Sequence, residues 1–384
     1  MRKHFGMPVA FLAVLMLVLA ACNGGGDSPS ASAAAPSEAP EESGAASEAP
    51  EESAGESAAA GADYKACMVS DVGGIDDNSF NENAWAGMER AESELGVEVS
   101  FLESRSTEDY ARNIDQHIAD GCDMIVTVGF LLGDATKAAA EANPDTRFAI
   151  VDFAYDPAIP NVEGLVYDTA PAAMLAGYAS ASWSQTGVVG TFGGINIGPP
   201  VTDFMDGFIA GVNYWNEQKD DDVRVLGGRD PNDPDSGTFT GNFESTDDAK
   251  NVTLGMLQES ADVILPVGGP IGQGTFAAIE EQQAEAVGLG VDVDWTESTP
   301  QYEPLILTSI LKRIDNSVFQ ALERAVNDEE PQPVFVSTLE NEGVGIAPFH
   351  EYDDEVSQET KDEIDALREA LISGDVDHTE YYGN

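Results

Sequence analysis

The chain has 384 residues, of which 70 are Asp or Glu and only 17 are Lys or Arg, giving a formal charge of −53. Acids this numerous, spread along the whole chain, exclude nucleic acid and anionic bilayers as preferred binding partners. We interpret them mainly as a solvating surface rather than as a specific cation site. The length suits one large domain or two medium domains with a substantial core.

Residues 1–21 have the pattern of an export signal. A positive start at residues 2–4 precedes an apolar core at residues 9–19, which is too short to span a membrane. The Leu-Ala-Ala-Cys that ends at Cys22 resembles the bacterial lipobox. This resemblance implies cleavage before Cys22, diacylation of its thiol, and lipid anchoring at the extracytoplasmic face of the cell membrane. The alternative is a plain secretory signal with a chance cysteine.

The segment 22–62 begins with that cysteine and continues almost exclusively in Ser, Ala, Gly, Pro and Glu, with the sequence SEAPEES present twice. Low hydrophobicity and like charge prevent such a segment from forming a core. We therefore expect a disordered tether that lifts the folded part off the membrane.

Strand and helix patterns alternate from residue 64 onward. In the first half, the predicted elements are strands at 66–70, 98–102, 124–128 and 148–151 and helices at 81–95, 108–120 and 133–142. In the second half, they are helices at 172–183, 204–216, 245–259, 275–284, 309–326 and 358–371 and strands at 188–192, 223–226, 263–266, 286–291, 305–308 and after Pro333. Repeated βαβ units indicate mainly parallel sheets with helices on both faces.

Two further cysteines, Cys67 and Cys122, stand at the starts of predicted strands. If these strands are parallel neighbours, the two residues lie at one sheet edge, where a disulfide is able to form outside the cytoplasm. The alternative is two separate buried thiols, because cysteine packs well as a small apolar residue. We expect no metal site at these two cysteines.

Acidic and glycine-rich turns follow several of the predicted strands. They are Asp71, Asp152, Asp292 and the pairs 129–130, 193–194 and 268–269. Because open α/β sheets bind ligands at the carboxyl ends of their strands, we expect these turns to face one cleft. Carboxylates without a matching basic cluster suit hydroxyl and N–H groups and repel anionic ligands. Phe80 offers a ring face for stacking on a planar group.

Each of these residues also has a purely structural interpretation. Asp71 or Asp77 suits the start of the following helix as a capping acid, and Phe80 suits a core position. Lys312 falls on the predicted helix 309–326, where a solvated charge is the simpler interpretation. The convergence of several such residues at strand ends favours a binding site.

The sequence contains no catalytic constellation. One histidine lies in the export signal, His117 on a helix that we predict to be exposed, His350 after a loop and His378 in the tail, and none is beside a nucleophile. There is no Gly-x-Ser-x-Gly elbow, no metal-spaced set of His and Cys and no phosphate-binding loop. We therefore predict that the protein is not an enzyme and needs no cofactor or metal.

Residues 71–87, DVGGIDDNSFNENAWAG, closely resemble the signature of the basic membrane protein family. Its members are lipid-anchored substrate-binding proteins of ABC importers and are best known for purine nucleosides. Further matching motifs are FAIVD at 148–152, NVEGL at 161–165, the glycine pair at 193–194 with Phe204, GLGVD at 288–292, TSILKR at 308–313 and GVGIAPF at 343–349. The chain departs from the family pattern at 268–274, where GGPIGQG stands in place of a shorter Gly-Gly-Thr-Gly turn.

The resemblance implies a type I periplasmic-binding-protein fold. This fold has two doubly wound, mainly parallel α/β lobes that are joined by three crossings and close on a ligand between them. We assign residues 63–168 and 292–328 to the first lobe and residues 169–291 and 329–384 to the second.

The resemblance also implies how a nucleobase is held. Phe80 would stack on the base, while Asp71, Asp77 or Asn81 would bind its polar edge. Phe204 is the candidate for a second stacking aromatic.

The same resemblance implies how the ribose is held. Asp152 and Asp292 would bind its hydroxyls, with backbone donors from Gly268 or Gly269 and support from Lys312. Nucleotides would bring phosphates into an acid-lined cleft and should bind much worse.

The predicted function is capture of a nucleoside, with purine nucleosides preferred, and delivery to the permease and ATPase subunits of an ABC transporter. Two alternatives remain open. Residues 74–77 are similar to the Asp-rich start of calcium-dependent nucleoside hydrolases, although Gly73 stands where that family has its second acid. The other alternative is the same fold serving as a sensor or binding a sugar or a signalling furanone.

Overall fold

The computed structural model describes residues 61, 63–230, 232, 233 and 235–382, and within them the chain forms two six-stranded sheets covered by helices. The strands are β1 Lys65–Val69, β2 Glu98–Leu102, β3 Met124–Val128, β4 Arg147–Val151, β5 Val162–Tyr167, β6 Val188–Gly193, β7 Arg224–Leu226, β8 Val263–Val267, β9 Val287–Asp292, β10 Ile306–Lys312, β11 Val334–Ser337 and β12 Val344–Ile346. The α-helices are α1 Phe80–Leu95, α2 Asp109–Ala119, α3 Gly133–Ala142, α4 Thr169–Trp183, α5 Pro199–Lys219, α6 Thr246–Gln258, α7 Gln273–Gln282, α8 Trp295–Ser298, α9 Ile314–Val326 and α10 Gln358–Ser373. None of the helices in these described ranges has the length and apolar character needed to cross a membrane.

The order of the strands defines two lobes. The first sheet has the order β11-β5-β4-β3-β1-β2 and is parallel throughout. The second has the order β12-β10-β9-β8-β6-β7, with β12 antiparallel to β10. The chain passes from one sheet to the other after β5, after β10 and after β11. The predicted fold class, two doubly wound and mainly parallel lobes, is confirmed.

The central strands of the first sheet are buried on both faces. In β1 and β3, alternate residues pack into different cores, so that Met68 and Val126 belong to one apolar cluster and Cys67 and Ile125 to the other. This is the pattern expected for a parallel sheet with helices on both sides. It explains why these strands have almost continuous apolar sequences.

Helices α4 and α5 pack closely through glycines in the second lobe. A Cβ atom on Gly177 would lie 2.1 Å from the carbonyl oxygen of Phe208, and one on Gly211 would lie 2.1 Å from that of Met174. Any larger residue would therefore push the helices apart. Because the first turn of α5 also lines the ligand cavity described below, this close packing fixes part of the cavity wall.

The structure corrects the predicted helix at 309–326. Residues up to Lys312 continue β10, which pairs with β9, and α9 begins at Ile314. Lys312 is therefore the last residue of a strand and only 1% exposed, so the interpretation as a solvated helix charge is wrong. A buried apolar run without strict alternation does not separate strand from helix by its period, which explains the error.

The strand pairing also corrects the predicted lobe boundaries. β10 lies in the second sheet although we assigned residues 292–328 to the first lobe, and β11 lies in the first sheet although we assigned residues 329–384 to the second. Helix α9 packs on α1 of the first lobe, since Arg90 lies 3.8 Å from the ring centre of Phe319. The predicted export signal at 1–21, the lipidation site Cys22 and nearly all of the tether lie outside the described residues.

The structure joins Cys67 and Cys122 in a disulfide with a Cα–Cα distance of 6.0 Å. His117 lies beside this bond and is 2% exposed, so the prediction that it lies on an exposed helix face is wrong. Its Nε2 is 3.0 Å from the carbonyl oxygen of Met68. Because the two sulfurs are bonded to each other, neither is the free thiolate that a metal ion requires.

Candidate ligand-binding site

The ten residues that the sequence predicts to bind ligand all line one cavity between the carboxyl ends of the two sheets. They are Asp71, Asp77, Phe80, Asn81, Asp152, Phe204, Gly268, Gly269, Asp292 and Lys312. The rest of the lining is mainly apolar and includes Phe130, Ile197, Val201 and Phe243. The free volume enclosed is about 60 Å³.

Asp77 caps the N-terminus of α1. Its carboxylate accepts hydrogen bonds from the backbone N–H groups of Ser79 (2.9 Å), Asn81 (2.9 Å) and Glu82 (3.1 Å) and from Nδ2 of Asn81 (3.1 Å). These contacts satisfy the free amides of the first helical turn. The structure therefore supports the capping interpretation of Asp77, which positions the residues beside it.

The carboxyl of Asp71 has a different environment from that of Asp77, although both residues follow strand β1. Its backbone N–H donates to Oδ1 of Asn81 at 3.2 Å, but its carboxylate accepts no hydrogen bond from the described residues. The backbone of Gly129 lies so close that a Cβ there would be 2.8 Å from Oδ2 of Asp71. With a φ of +112° at Gly129, only glycine suits this position. The carboxyl of Asp71 is thus buried, unpaired and directed at the cavity.

Lys312 connects the two sheets across the cavity. Its Nζ donates to Oδ2 of Asp152, which follows β4 of the first sheet, at 2.6 Å. The same ammonium lies 4.9 Å from the ring centre of Tyr167, 5.2 Å from that of Phe80 and 5.7 Å from that of Phe204. Cations are attracted to aromatic faces at these distances. Lys312 therefore fixes the wall where aromatic rings and carboxylates meet.

Asp292 makes the second connection between the lobes. It ends β9, and its Oδ2 accepts a hydrogen bond of 2.9 Å from the hydroxyl of Ser79 at the start of α1. Asn83 of the same helix donates to the carbonyl oxygen of Lys312 at 2.8 Å. Asp152 and Asp292 both have positive φ, at 65° and 70°. Non-glycine residues in this conformation are strained, and such strain concentrates at functional sites.

The carboxyl groups of Asp71, Asp152 and Asp292 all have a raised pKa. Burial raises the pKa of Asp71 well above its usual value, and the neighbouring acids Asp77 and Asp152 raise it further. Burial also raises the pKa of Asp152, against the effect of Lys312. For Asp292, burial raises the pKa to about 6, with Lys312 again opposing the change. Removing these groups from water disfavours their charged forms, so the cavity favours ligands that supply hydrogen-bond donors.

The glycines and the aromatic residues close the cavity from the second lobe. Gly269 has a φ of +59°, and a Cβ built on it would meet Cβ of Phe80 at 3.9 Å across the cavity. Phe204 is 1% exposed and forms part of the wall from α5. The aromatic faces are thus distributed over both lobes, where they can enclose a planar group.

Sequence reasoning missed three residues of this region. Ser79 and Tyr167 contact residues of the opposite lobe, namely Asp292 and Lys312. Phe243, in the loop before α6, lines the cavity. For Phe243, the sequence contains a local signal, because an aromatic residue stands out in the polar, glycine-containing segment before α6. Contacts between distant segments leave no such local signal.

This arrangement is suited to binding a small molecule. The cavity combines aromatic faces, buried carboxyls and one ammonium that is already paired with a carboxylate. Groups of these kinds are able to contact a planar ring and to accept hydrogen bonds from N–H or O–H groups. Phosphate groups would meet unpaired carboxyls there.

Comparison with known proteins agrees with this class of site. Residues 64–378 match the family described as PnrA-like ABC transporter substrate-binding proteins. The chain therefore belongs to this family. It is an ABC-transporter substrate-binding protein, a class of proteins that act outside the cytoplasm on small molecules.

Individual relatives are distant but match over most of their length. The ABC transporter nucleoside-binding protein BmpA of Lactococcus lactis is 27% identical, with 82% of this chain and 88% of that protein covered. An uncharacterized lipoprotein of Pyrococcus horikoshii is 29% identical, with 74% and 69% covered. The crystal structure of a solute-binding protein from an ABC transporter system of Aeropyrum pernix has a TM-score of 0.73 at 24% identity, with 83% and 95% covered. This last likeness shows the shared fold alone.

Proposed function

We propose that this protein captures a nucleoside in the cavity between its lobes, with purine nucleosides as the preferred ligands, and delivers it to the permease and ATPase subunits of an ABC transporter. The observation that carries the proposal is the set of buried carboxyls that surrounds an aromatic-lined cavity at the strand ends of both sheets. The printed name of the Lactococcus lactis relative, a nucleoside-binding protein, supports the same ligand class.

The base is proposed to bind between the lobes. Phe80 stacks on it, with Phe204 as the second aromatic, and the unpaired carboxyl of Asp71 accepts from its N–H groups. Asn81 holds Asp71 by its backbone, and Asp77 holds Asn81. Flat rings on both sides and a hydrogen-bonding edge match a purine better than they match a saturated sugar.

The ribose is proposed to bind at the connection between the lobes. Asp152 and Asp292 accept from its hydroxyls, Lys312 orients Asp152, and the backbone at Gly268 and Gly269 supplies donors. A ligand that replaces the contact between Asp292 and Ser79 would change how the lobes are held together. Because a volume of about 60 Å³ holds water but not a nucleoside, ligand entry requires the lobes to separate.

Lipid anchoring at Cys22 is part of the proposal. The lipobox pattern and the tether at 22–62 support it, as does the name lipoprotein in the Pyrococcus horikoshii relative. Mass spectrometry of the protein from bacterial membranes should find an N-terminal diacylated cysteine. A free residue 1 or an unmodified Cys22 would contradict it.

Thermal unfolding of the purified protein tests the ligand class. Adenosine, guanosine, inosine, cytidine, ribose and AMP are compared at equal concentration, because a ligand that binds only the folded state raises the midpoint by mass action. We expect an increase with purine nucleosides and none with AMP or ribose. No increase with any nucleoside would reject the proposed ligand and leave the family membership intact.

The calcium-dependent hydrolase alternative has its own test. Incubation of the protein with inosine and calcium, followed by chromatography, measures release of the free base. The proposed binding function requires that inosine be recovered intact. Release of hypoxanthine in proportion to protein concentration would replace it with an enzymatic function.

A further inference from the structure

A second cavity lies in the second lobe, beside strands β10 and β12 of its sheet. Its free volume is about 440 Å³, which is within the usual range of small-molecule pockets. Its walls include residues of α4, the end of β10, β12 and α10. It shares no lining residue with the first cavity.

The position of this second cavity links it to the movement of the lobes. Arg313, directly after β10, and Glu342, just before β12, both line it. These residues belong to two of the three chain crossings between the sheets. We call it the hinge cavity, because a molecule bound there touches the segments about which the lobes must rotate.

The wall of the hinge cavity combines charged residues with an aliphatic part. Leu175 of α4, Leu311 of β10, Ile346 of β12 and Ile364 of α10 line it. Gly345 of β12 also lines it, and a Cβ built on this glycine meets no atom within 4 Å. The cavity thus offers both apolar surface and unfilled space beside an edge strand.

One cation of the hinge cavity, Arg368, has no carboxylate partner in the part of the chain that the structure describes. Lys361 is paired with Asp353 at 2.6 Å, and Arg313 with Asp315 at 3.1 Å. Arg368 has no ion pair among the described residues, and its Nε is buried without an acceptor. Leaving such a donor unpaired is costly, and a charged donor even more so.

We propose that the hinge cavity is a second ligand site, which binds a short aliphatic carboxylate such as hexanoate or the carboxylate end of an aliphatic amino acid. The carboxylate accepts hydrogen bonds from Arg368, whose planar guanidinium suits this group, and the aliphatic chain packs on Leu311 and Ile346. Glu342 and Asp365, which are exposed at the edge of the cavity, repel ligands with several negative charges.

Titration calorimetry with the purified full-length protein tests the site without any nucleoside present. Hexanoate is compared with hexanol, which has the same chain but no carboxylate, and with leucine, whose ammonium is able to pair with the exposed acids. We expect saturable binding of hexanoate and binding of hexanol that is weaker by at least about tenfold, since a charged hydrogen bond is lost. Tighter binding of leucine than of hexanoate would identify the zwitterion as the favoured form of the same chemistry.

Two variants locate the binding within the hinge cavity. Arg368→Gln should weaken hexanoate at least about tenfold, and Gly345→Leu should abolish binding by filling the space. Matched controls are Arg105→Gln and Gly255→Leu, at exposed positions that do not line the cavity; both should bind as the wild type does. Absence of saturable binding to the wild type, equal binding of hexanol, or unchanged binding in Gly345→Leu would each overturn the proposal.

Discussion

Two buried ion pairs of this protein differ in where they lie and in how completely their charges are paired. Lys312 and Asp152 pair across the two sheets at the rim of the ligand cavity. Arg324 and Glu163 pair within the first lobe, between α9 and β5. Both pairs are largely shielded from water, and the first lines the ligand cavity.

The difference lies in how completely each pair is satisfied. Glu163 is 1% exposed and accepts from Arg324 and from the backbone N–H of Gln332. Lys312, by contrast, is the cation that opposes the raised pKa of both Asp152 and Asp292. One ammonium for two buried acids leaves capacity for donors from a ligand. We therefore expect the satisfied pair to stabilise the fold and the undersupplied pair to contribute to the proposed ligand binding.

The largest effect is expected from breaking the satisfied pair. Glu163→Leu leaves Arg324 buried without its carboxylate, which should lower the free energy of unfolding by about 3–5 kcal/mol. Urea denaturation measures this loss. The double variant Glu163→Leu/Arg324→Met should recover most of it, because apolar replacement of a whole buried pair is often tolerated. If the single variant is as stable as the wild type, the pair has no structural role.

A smaller loss of stability but a larger loss of binding is expected from the cavity pair. Lys312→Met removes the charged hydrogen bond that orients Asp152. The usual value of such a bond is about 1.5–3 kcal/mol, and nucleoside binding should weaken by that amount. Asp152, whose pKa is already raised by burial, can take up a proton and limit the cost to the fold. Calorimetry and urea denaturation measure the two effects separately. Equal loss of stability in Lys312→Met and Glu163→Leu, with unchanged affinity, would remove the distinction between the pairs.

Phe80→Ala tests whether the aromatic wall of the cavity contributes as much to nucleoside affinity as the charged residues do. Stacking on a base contributes about 1–3 kcal/mol, so the affinity for inosine should fall by that amount. Phe101→Ala is the matched control, because Phe101 is 38% exposed and lies on the edge strand β2, away from the cavity. Unchanged affinity in Phe80→Ala would make Phe80 a packing residue.

Much of the cavity was predictable because its residues follow the strands of parallel sheets. Asp71, Asp152 and Asp292 each follow a strand whose apolar sequence is plain, and the geometry of such sheets brings their carboxyl ends together. The role of Asp77 was not decidable in this way. An acid before a helix suits both capping and ligand binding, and only its hydrogen bonds to α1 separate the two.

The errors came from contacts between distant segments. Strand β5 was missed because Glu163 and Gly164 are poor strand formers; the buried Glu163 is tolerated because Arg324, far along the chain, pairs with it. The end of β10 was assigned to a helix, so Lys312 taken alone was interpreted as a solvated charge, and only the family resemblance placed it in the cavity. The contact of Ser79 with Asp292 joins residues of different lobes and has no trace in the local sequence.

The smallest expected effect is on the pH dependence of stability, which distinguishes buried acids that lack a full set of hydrogen-bond donors from acids that have one. Asp203 of α5 has its pKa raised to about 7 by burial and by Asp206 and Asp168, against the opposing charges of Lys312 and Arg229. Since this value exceeds the usual 3.8, the folded state binds more protons than the unfolded state between the two. The stabilisation is fully present below the lower value and is lost as the pH rises through about 7.

The free energy of unfolding should therefore fall as the pH is raised from about 4 to about 8, and Asp203→Asn should reduce this slope because an amide cannot ionise. Asp71, Asp152 and Asp292 contribute with the same sign, so part of the slope should remain. Urea denaturation at several pH values measures it, with exposed Asp145→Asn as the control. A slope in Asp203→Asn equal to that of the wild type would mean that Asp203 is hydrated in solution and belongs with the ordinary surface acids.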